Sequence, residues 1–215
     1  MDKPQVVVID YGVGNLLSVQ RALEHCGAHV ILSSDPDQIL SANRVILPGV
    51  GAFASAMQAL EYLDLVDVIR KLADRKIPLL GICLGMQLLF EESEEFGITS
   101  GLGLIPGRVI AVPSKTTSGD FLKVPHIGWN SLLLSNDLVG WHSLLFSYIQ
   151  NLDSMYFLHS YMAAPSNAAH RIFDCLYGGH ILSAVVGFDQ IIGCQFHPEK
   201  SGEAGLAFLC KFLTQ

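Results

Sequence analysis

Residues Gln5 to Ile9 form a short apolar run rich in β-branched side chains, the pattern of a buried strand. Leu16, Leu17, Val19, Leu23 and Cys26 then recur at helical spacing, and Gly27 supplies a helix stop. Residues 28–32 and 44–47 read as two more strands. Over residues 54–75, Ala, Met, Leu and Ile recur on one face and predict a single helix. Residues 77–82 predict a strand that runs directly into Cys83 and a helical segment over 86–91. Strand and helix in regular alternation imply an α/β fold, with a parallel sheet covered on both faces.

The pattern changes from Gly101 to about Ala164. Turn signals alternate with short strand-like pieces at 108–112 and 155–159, which predicts antiparallel excursions and loops. Residues 113–120 are the most loop-like stretch. Two strands within 180–197 and a helix from Gly202 to Leu213 complete the reading. With no internal repeat and no linker composition, residues 1–215 read as a single domain.

Half of the 215 residues are hydrophobic and 15% are charged, which suits an enzyme with a buried sheet and argues against disorder. A net charge of -7 makes nucleic acid an unsuitable general partner. No stretch approaches the ~20 apolar residues of a membrane span, and the N-terminus lacks a secretory core. Cysteines at 26, 83, 175, 194 and 210 are odd in number and widely spaced, without a CxxC pair. That usage predicts neither a disulfide framework nor a zinc site, and points to a reducing cytoplasm where a thiol is available for chemistry.

Gly81-Ile82-Cys83-Leu84-Gly85, at a strand-to-helix junction, has the form of a nucleophile elbow with cysteine as nucleophile. The flanking glycines allow a sharp turn and leave room for substrate beside the backbone, while the helix start favours thiolate. The Leu84 N–H would face a developing oxyanion. Near the end of the chain, Gln195-Phe196-His197-Pro198-Glu199 offers a base and its orienter. In an extended segment, residues two apart point to one side, so Glu199 would hold His197 for action on Cys83. Cys194 falls on the opposite side and reads as core. Pro48-Gly49-Val50-Gly51-Ala52-Phe53 follows a strand and would bring further N–H groups to the carboxyl edge of the sheet. Each fragment alone has an ordinary structural explanation, and a cysteine esterase, a peptidase or a binding module with a decayed site fits the same residues. Hydrolysis at Cys83 is what the combination favours.

In their order and spacing, Pro48-Gly49-Val50-Gly51, Gly81-Ile82-Cys83-Leu84-Gly85-Met86-Gln87 and Gln195-Phe196-His197-Pro198-Glu199-Lys200-Ser201 resemble the motifs of the class I (triad) glutamine amidotransferases. The resemblance implies a flavodoxin-like, doubly wound sheet. It also implies hydrolysis of L-glutamine to glutamate and ammonia by Cys83, His197 and Glu199, through a γ-glutamyl thioester and with no metal or organic cofactor. Asp10-Tyr11-Gly12-Val13-Gly14-Asn15-Leu16, Val124-Pro125-His126-Ile127-Gly128-Trp129-Asn130 and Tyr156-Phe157-Leu158-His159-Ser160-Tyr161 narrow the likeness. They resemble the branch that serves as glutaminase subunit of imidazole glycerol phosphate synthase, and the likeness runs from Val6 to Leu213. The implied partner is a separate (β/α)8-barrel cyclase subunit of histidine biosynthesis. Val50 and Leu84 would then form the oxyanion hole, and Gly49, Gly51, Gln87, Ser160 and Tyr161 would serve the substrate. Asn15, Trp129, Asn130, Tyr156 and Lys200 would face the cyclase. His126 and His159 fall to packing or hydrogen bonding. Residues 113–120 and 173–177 depart from the family's pattern.

Overall fold

Alternation along the first strand sets the layering. Val6 and Val8 of β1 (Gln5–Ile9) enter one hydrophobic cluster and Val7 and Ile9 another, and all four are buried. The computed structural model describes residues 3–135 and 153–214. β1 leads through α1 (Leu16–His25) to β2 (His29–Ser33), α2 (Pro36–Leu40) and β3 (Val45–Gly49). Gly27 follows α1 with φ +85°, the left-handed stop that the sequence predicts. Next come α3 (Phe53–Tyr62), α4 (Leu65–Asp74), β4 (Leu79–Cys83) and α5 (Leu84–Leu88). β13 (His180–Phe188), β14 (Ile191–Cys194) and α6 (Gly202–Thr214) close the chain.

The main sheet runs β2-β1-β3-β4-β14 with every neighbour parallel. It continues antiparallel through β13, β12 (Arg171–Tyr177) and β9 (Leu133–Leu134). Residues 173–177 therefore lie in a strand, whose pairing with β13 shifts register on either side of Phe173. α1 and α6 contribute to the cluster on one face, and α2 through α5 to the cluster on the other. This is the mostly parallel, doubly wound α/β sheet that the sequence predicts.

The middle of the chain adds two small sheets. β8 (His126–Ser131) and β10 (Ser154–His159) form an antiparallel ribbon over the α1/α6 face. β5 (Phe90–Ser93), β6 (Thr99–Ser100), β7 (Ile105–Ala111) and β11 (Tyr161–Pro165) form a four-stranded sheet over the other. Its pairings are antiparallel except β5 with β7, which is parallel. The part of the predicted excursion at 136–152 lies outside the described residues.

Three expectations need correction. The single helix over 54–75 is two helices, because Asp64 adopts the left-handed conformation at φ +56° and redirects the chain. Asp tolerates that conformation better than most residues, and neither Gly nor Pro marks the break. The helical segment over 86–91 ends at Leu88. The Leu88, Leu89 and Phe90 carbonyls are taken by the N–H groups of residues 102–105, so strand pairing overrides local helix propensity. Lastly, Cys26 and Cys210 are joined by a disulfide, contrary to the expectation of unpaired thiols. A sequence separation of 184 hides the pair, but α1 and α6 pack on the same sheet face and bring their Cα atoms to 5.1 Å. Cys83, Cys175 and Cys194 are free and buried. Among the described residues, no helix is long and apolar enough to cross a membrane.

Candidate active site

Parallel pairing brings the carboxyl ends of β3, β4 and β14 to one edge, with Gly49 beside Cys83 and Ile82 beside Cys194. Cys83 ends β4 and caps α5, at φ 55° and ψ -110°. That strained backbone is borne by the cysteine, while the flanking glycines permit close packing. A Cβ on Gly85 would collide with the Leu47 carbonyl, and one on Gly81 would lie 2.6 Å from the Gly85 carbonyl oxygen. The room that the glycines leave is filled by β3 and α5, rather than by substrate as the sequence alone suggests. With five residues, α5 is a single short turn and contributes little dipole.

His197 and Glu199 meet as expected, by a different route. The segment does not stay extended: Pro198–Lys200 form one 3-10 turn capped by His197, and that turn swings the carboxylate back. His197 Nδ1 donates to Glu199 Oε1 at 2.9 Å, and both side chains are buried. The bond fixes the ring's orientation and leaves the Nε2 edge for Cys83. Burial by itself would lower the His197 pKa. Hydrogen bonds to Cys83 and Glu199, together with their negative charge, outweigh burial and raise it to about 10. The ring is thus held in its protonated form beside Cys83 and Glu199. Ser201 Oγ locks the turn, donating to the His197 carbonyl at 2.6 Å while accepting from the Tyr156 N–H at 2.9 Å.

A cavity of about 240 Å3 opens over Cys83. Val50, Gly51, Leu84, Gln87, Ser160, Tyr161 and His197 line it, so the predicted oxyanion residues and four of the five predicted substrate residues meet there. Gly49 does not line it. It is buried beneath the loop, where a Cβ would lie 2.7 Å from Tyr11 Oη. Tyr11 Oη donates to the Pro48 carbonyl at 2.8 Å, and burial, with the nearby Cys83 charge second, raises its pKa far enough to keep it protonated.

Several lining residues escape sequence reading. Glu95 enters from the β5–β6 turn, its carboxylate accepting the Phe53 N–H at 2.5 Å. Pro125, Leu158 and His159 complete the wall. Gln195 is fully buried, and its Nε2 lies 3.8 Å from Cys83 Sγ. Its place two residues before His197, on the same side of the strand, was the available signal. Behind His197, Glu199 also borders a separate cavity with Ser18 and Arg21, and its Oε2 lacks a partner among the described residues. Among the described residues, no group of three or more His, Cys, Asp or Glu is placed to hold a metal.

The residues expected at a partner face are not equivalent. Trp129 is 59% exposed and packs edge-on against its cross-strand neighbour Tyr156, with ring centroids 6.0 Å apart. Lys200 is exposed and Asn15 half-buried. Asn130 turns the other way, its Nδ2 donating to the Leu176 carbonyl at 2.7 Å. The ribbon reaches His197 directly, because the His197 N–H donates to the Tyr156 carbonyl at 2.9 Å.

The family described as "Glutamine amidotransferase class-I" matches residues 7–215. "Imidazole glycerol phosphate synthase subunit HisH 1" of Legionella pneumophila (strain Lens) is 49% identical over 208 residues, covering 97% of this chain and 98% of that one. "Imidazole glycerol phosphate synthase subunit HisH" of Geobacillus sp. (strain WCH70) is 44% identical over 209 residues, covering 96% and 95%. Among solved structures, PurLQS from Thermotoga maritima superposes with a TM-score of 0.70 at 20% identity, covering 99% of each chain, which supports the fold. With a family match from Val7 to Gln215 and HisH relatives alike over nearly their whole length, this chain belongs to the class-I glutamine amidotransferases, in the branch of the HisH subunits of imidazole glycerol phosphate synthase.

Proposed function

We propose that this chain hydrolyses L-glutamine to glutamate and ammonia, and passes the ammonia to a (β/α)8-barrel cyclase subunit that makes imidazole glycerol phosphate in histidine biosynthesis. The observation that carries the reading is His197, hydrogen-bonded to Glu199 at 2.9 Å and sharing the wall of one small cavity with Cys83. Cys83 Sγ attacks the side-chain amide carbon of glutamine. The N–H groups of Val50 and Leu84 receive the oxyanion. His197 gives its proton to the departing nitrogen, and ammonia leaves a γ-glutamyl thioester. Water, losing a proton to the same imidazole, adds to the thioester, and the collapse returns the thiolate and glutamate.

The cavity, at about 240 Å3, falls below the ~300–1,000 Å3 of pockets that take drug-sized ligands, which suits one amino acid better than a peptide. Gly51, Gln87, Ser160, Tyr161 and Glu95 supply its polar groups. Asn15, Trp129, Tyr156 and Lys200 are assigned to the cyclase face, and Asn130 to support of the ribbon behind it. The Tyr156–His197 backbone bond gives that face a short connection to the triad.

Ammonia release from glutamine, measured with and without the cyclase subunit, tests the reading. Turnover that rises when the cyclase and its nucleotide ligand are added is the expected result. Folded protein that releases no ammonia in either case would overturn it.

A further inference from the structure

We propose that His126 and His159 are a positioning pair for the glutaminase site, holding the Tyr161 carbonyl and through it the carboxamides of Gln87 and Gln195, so that Gln195 Nε2 donates to Cys83 Sγ. The inference rests on the glutaminase reading and adds residues to which that reading gives no part.

The order of hydrogen bonds follows from what each atom can do. A carbonyl only accepts, so His159 Nδ1, 2.8 Å from the Tyr161 carbonyl oxygen, carries the proton. In a neutral ring the other nitrogen accepts, so His126 Nδ1 donates to His159 Nε2 across 3.1 Å. His126 Nε2 then accepts from Asn130 Nδ2 at 3.3 Å, and the Leu176 carbonyl anchors that amide. Burial keeps both rings neutral, with pKa values lowered to about 4 for His126 and about 3 for His159.

On the other side of Tyr161, its carbonyl accepts from Gln87 Nε2 at 3.0 Å, and the same nitrogen donates to Gln195 Oε1 at 2.9 Å. That bond turns the Nε2 end of Gln195 toward Cys83 Sγ, 3.8 Å away. Flipping Gln87 would set oxygen against two oxygens, and flipping Gln195 would set its nitrogen against the Gln87 nitrogen. Gln195, His126, Gln87 and His159 are 0%, 2%, 6% and 6% exposed, so water does not substitute for a missing partner. The His126 ring is fixed by stacking between Tyr177, at 4.0 Å between centroids, and Phe157, at 5.0 Å.

Two variants and one spectrum test this, with the chain in complex with the cyclase. His126→Phe keeps a ring in the stack and removes both nitrogens. His126→Asn keeps a donor at the δ position. Expected for His126→Phe is a fall of about tenfold in kcat/KM for glutamine, the worth of one buried hydrogen bond, with ammonium-driven synthesis unchanged. His126→Asn should recover to within about threefold of wild type. Imidazole 15N NMR of the wild-type chain should find both rings neutral and protonated at Nδ1. Wild-type kcat/KM in His126→Phe, equal impairment in the two variants, or either ring protonated at Nε2 would overturn the proposal. A wild-type complex that makes no ammonia from glutamine would overturn the glutaminase reading instead, and the tautomers would still decide the order of the bonds.

Discussion

His197 is where opposing effects meet. Its burial favours a neutral ring, but Cys83 and the carboxylate 2.9 Å from Nδ1 outweigh that and raise its pKa to about 10. Loss of that proton on the alkaline side removes the acid that the departing nitrogen needs, so kcat/KM should fall as pH approaches 10. Glu199→Gln removes one of the two charges that raise the pKa, so the alkaline limb should move to lower pH. The same change should lower kcat by roughly 10^2- to 10^4-fold, as loss of an orienting carboxylate does in other triads. Steady-state kinetics across pH 6 to 10 reads both effects, and an unmoved limb with unchanged kcat would remove Glu199 from the triad. His126 and His159 carry the opposite sign. Their folded-state values, about 4 and about 3, lie below the ordinary 6.5, so between those limits the unfolded chain binds protons that the folded chain refuses. Stability is therefore full above about pH 6.5 and falls with acid, by up to about 1.4 kcal/mol per pH unit for each histidine. Urea midpoints at pH 7 and pH 5 should differ accordingly, and equal midpoints would contradict neutral burial.

At the scale of elements, the elbow depends on how near α5 lies to β3. Gly85→Ala would drive a methyl into the Leu47 carbonyl and displace the turn that carries Cys83. The expected outcome is a fall in kcat of about 10^2-fold, the cost of misplacing a reacting group by about an ångström, with circular dichroism unchanged. Activity near wild type would mean that the packing is looser than this. The first four strands and the elbow were legible because strand periodicity and glycine punctuation are local signals. Asp64 was not, since its left-handed turn carries no Gly or Pro. The change from helix to strand after Leu88 escaped for another reason, because residues 102–105 impose it from outside the segment. The His197-x-Glu199 pair was legible although its geometry was not: a 3-10 turn and an extended strand both bring these side chains together. Glu95 and the His126–His159 contact arise only when distant strands pair.

For the whole molecule, two covering layers on one sheet leave the chemistry at the sheet's carboxyl edge and tie the chain's ends together on one face. The Cys26–Cys210 disulfide is part of that tie. Ellman titration of the unfolded chain should count three thiols before reduction and five after. Reduction should also lower the urea midpoint, since closing a loop of this length is worth up to about 5 kcal/mol. Five thiols before reduction would contradict the bond. The same tertiary closure places the β8–β10 ribbon beside His197, so contact at Trp129 and Tyr156 lies one backbone hydrogen bond from the triad.

The central claim is a division of labour, with glutamine chemistry at Cys83 and synthesis in the partner. Cys83→Ala in complex with the cyclase tests it most directly. Glutamine-driven synthesis should fall by at least about 10^4-fold, as expected for loss of a nucleophile, while synthesis from added ammonium salts stays at the wild-type rate. Glutamine-driven synthesis that survives the substitution, or loss of both activities from a folded complex, would contradict the account.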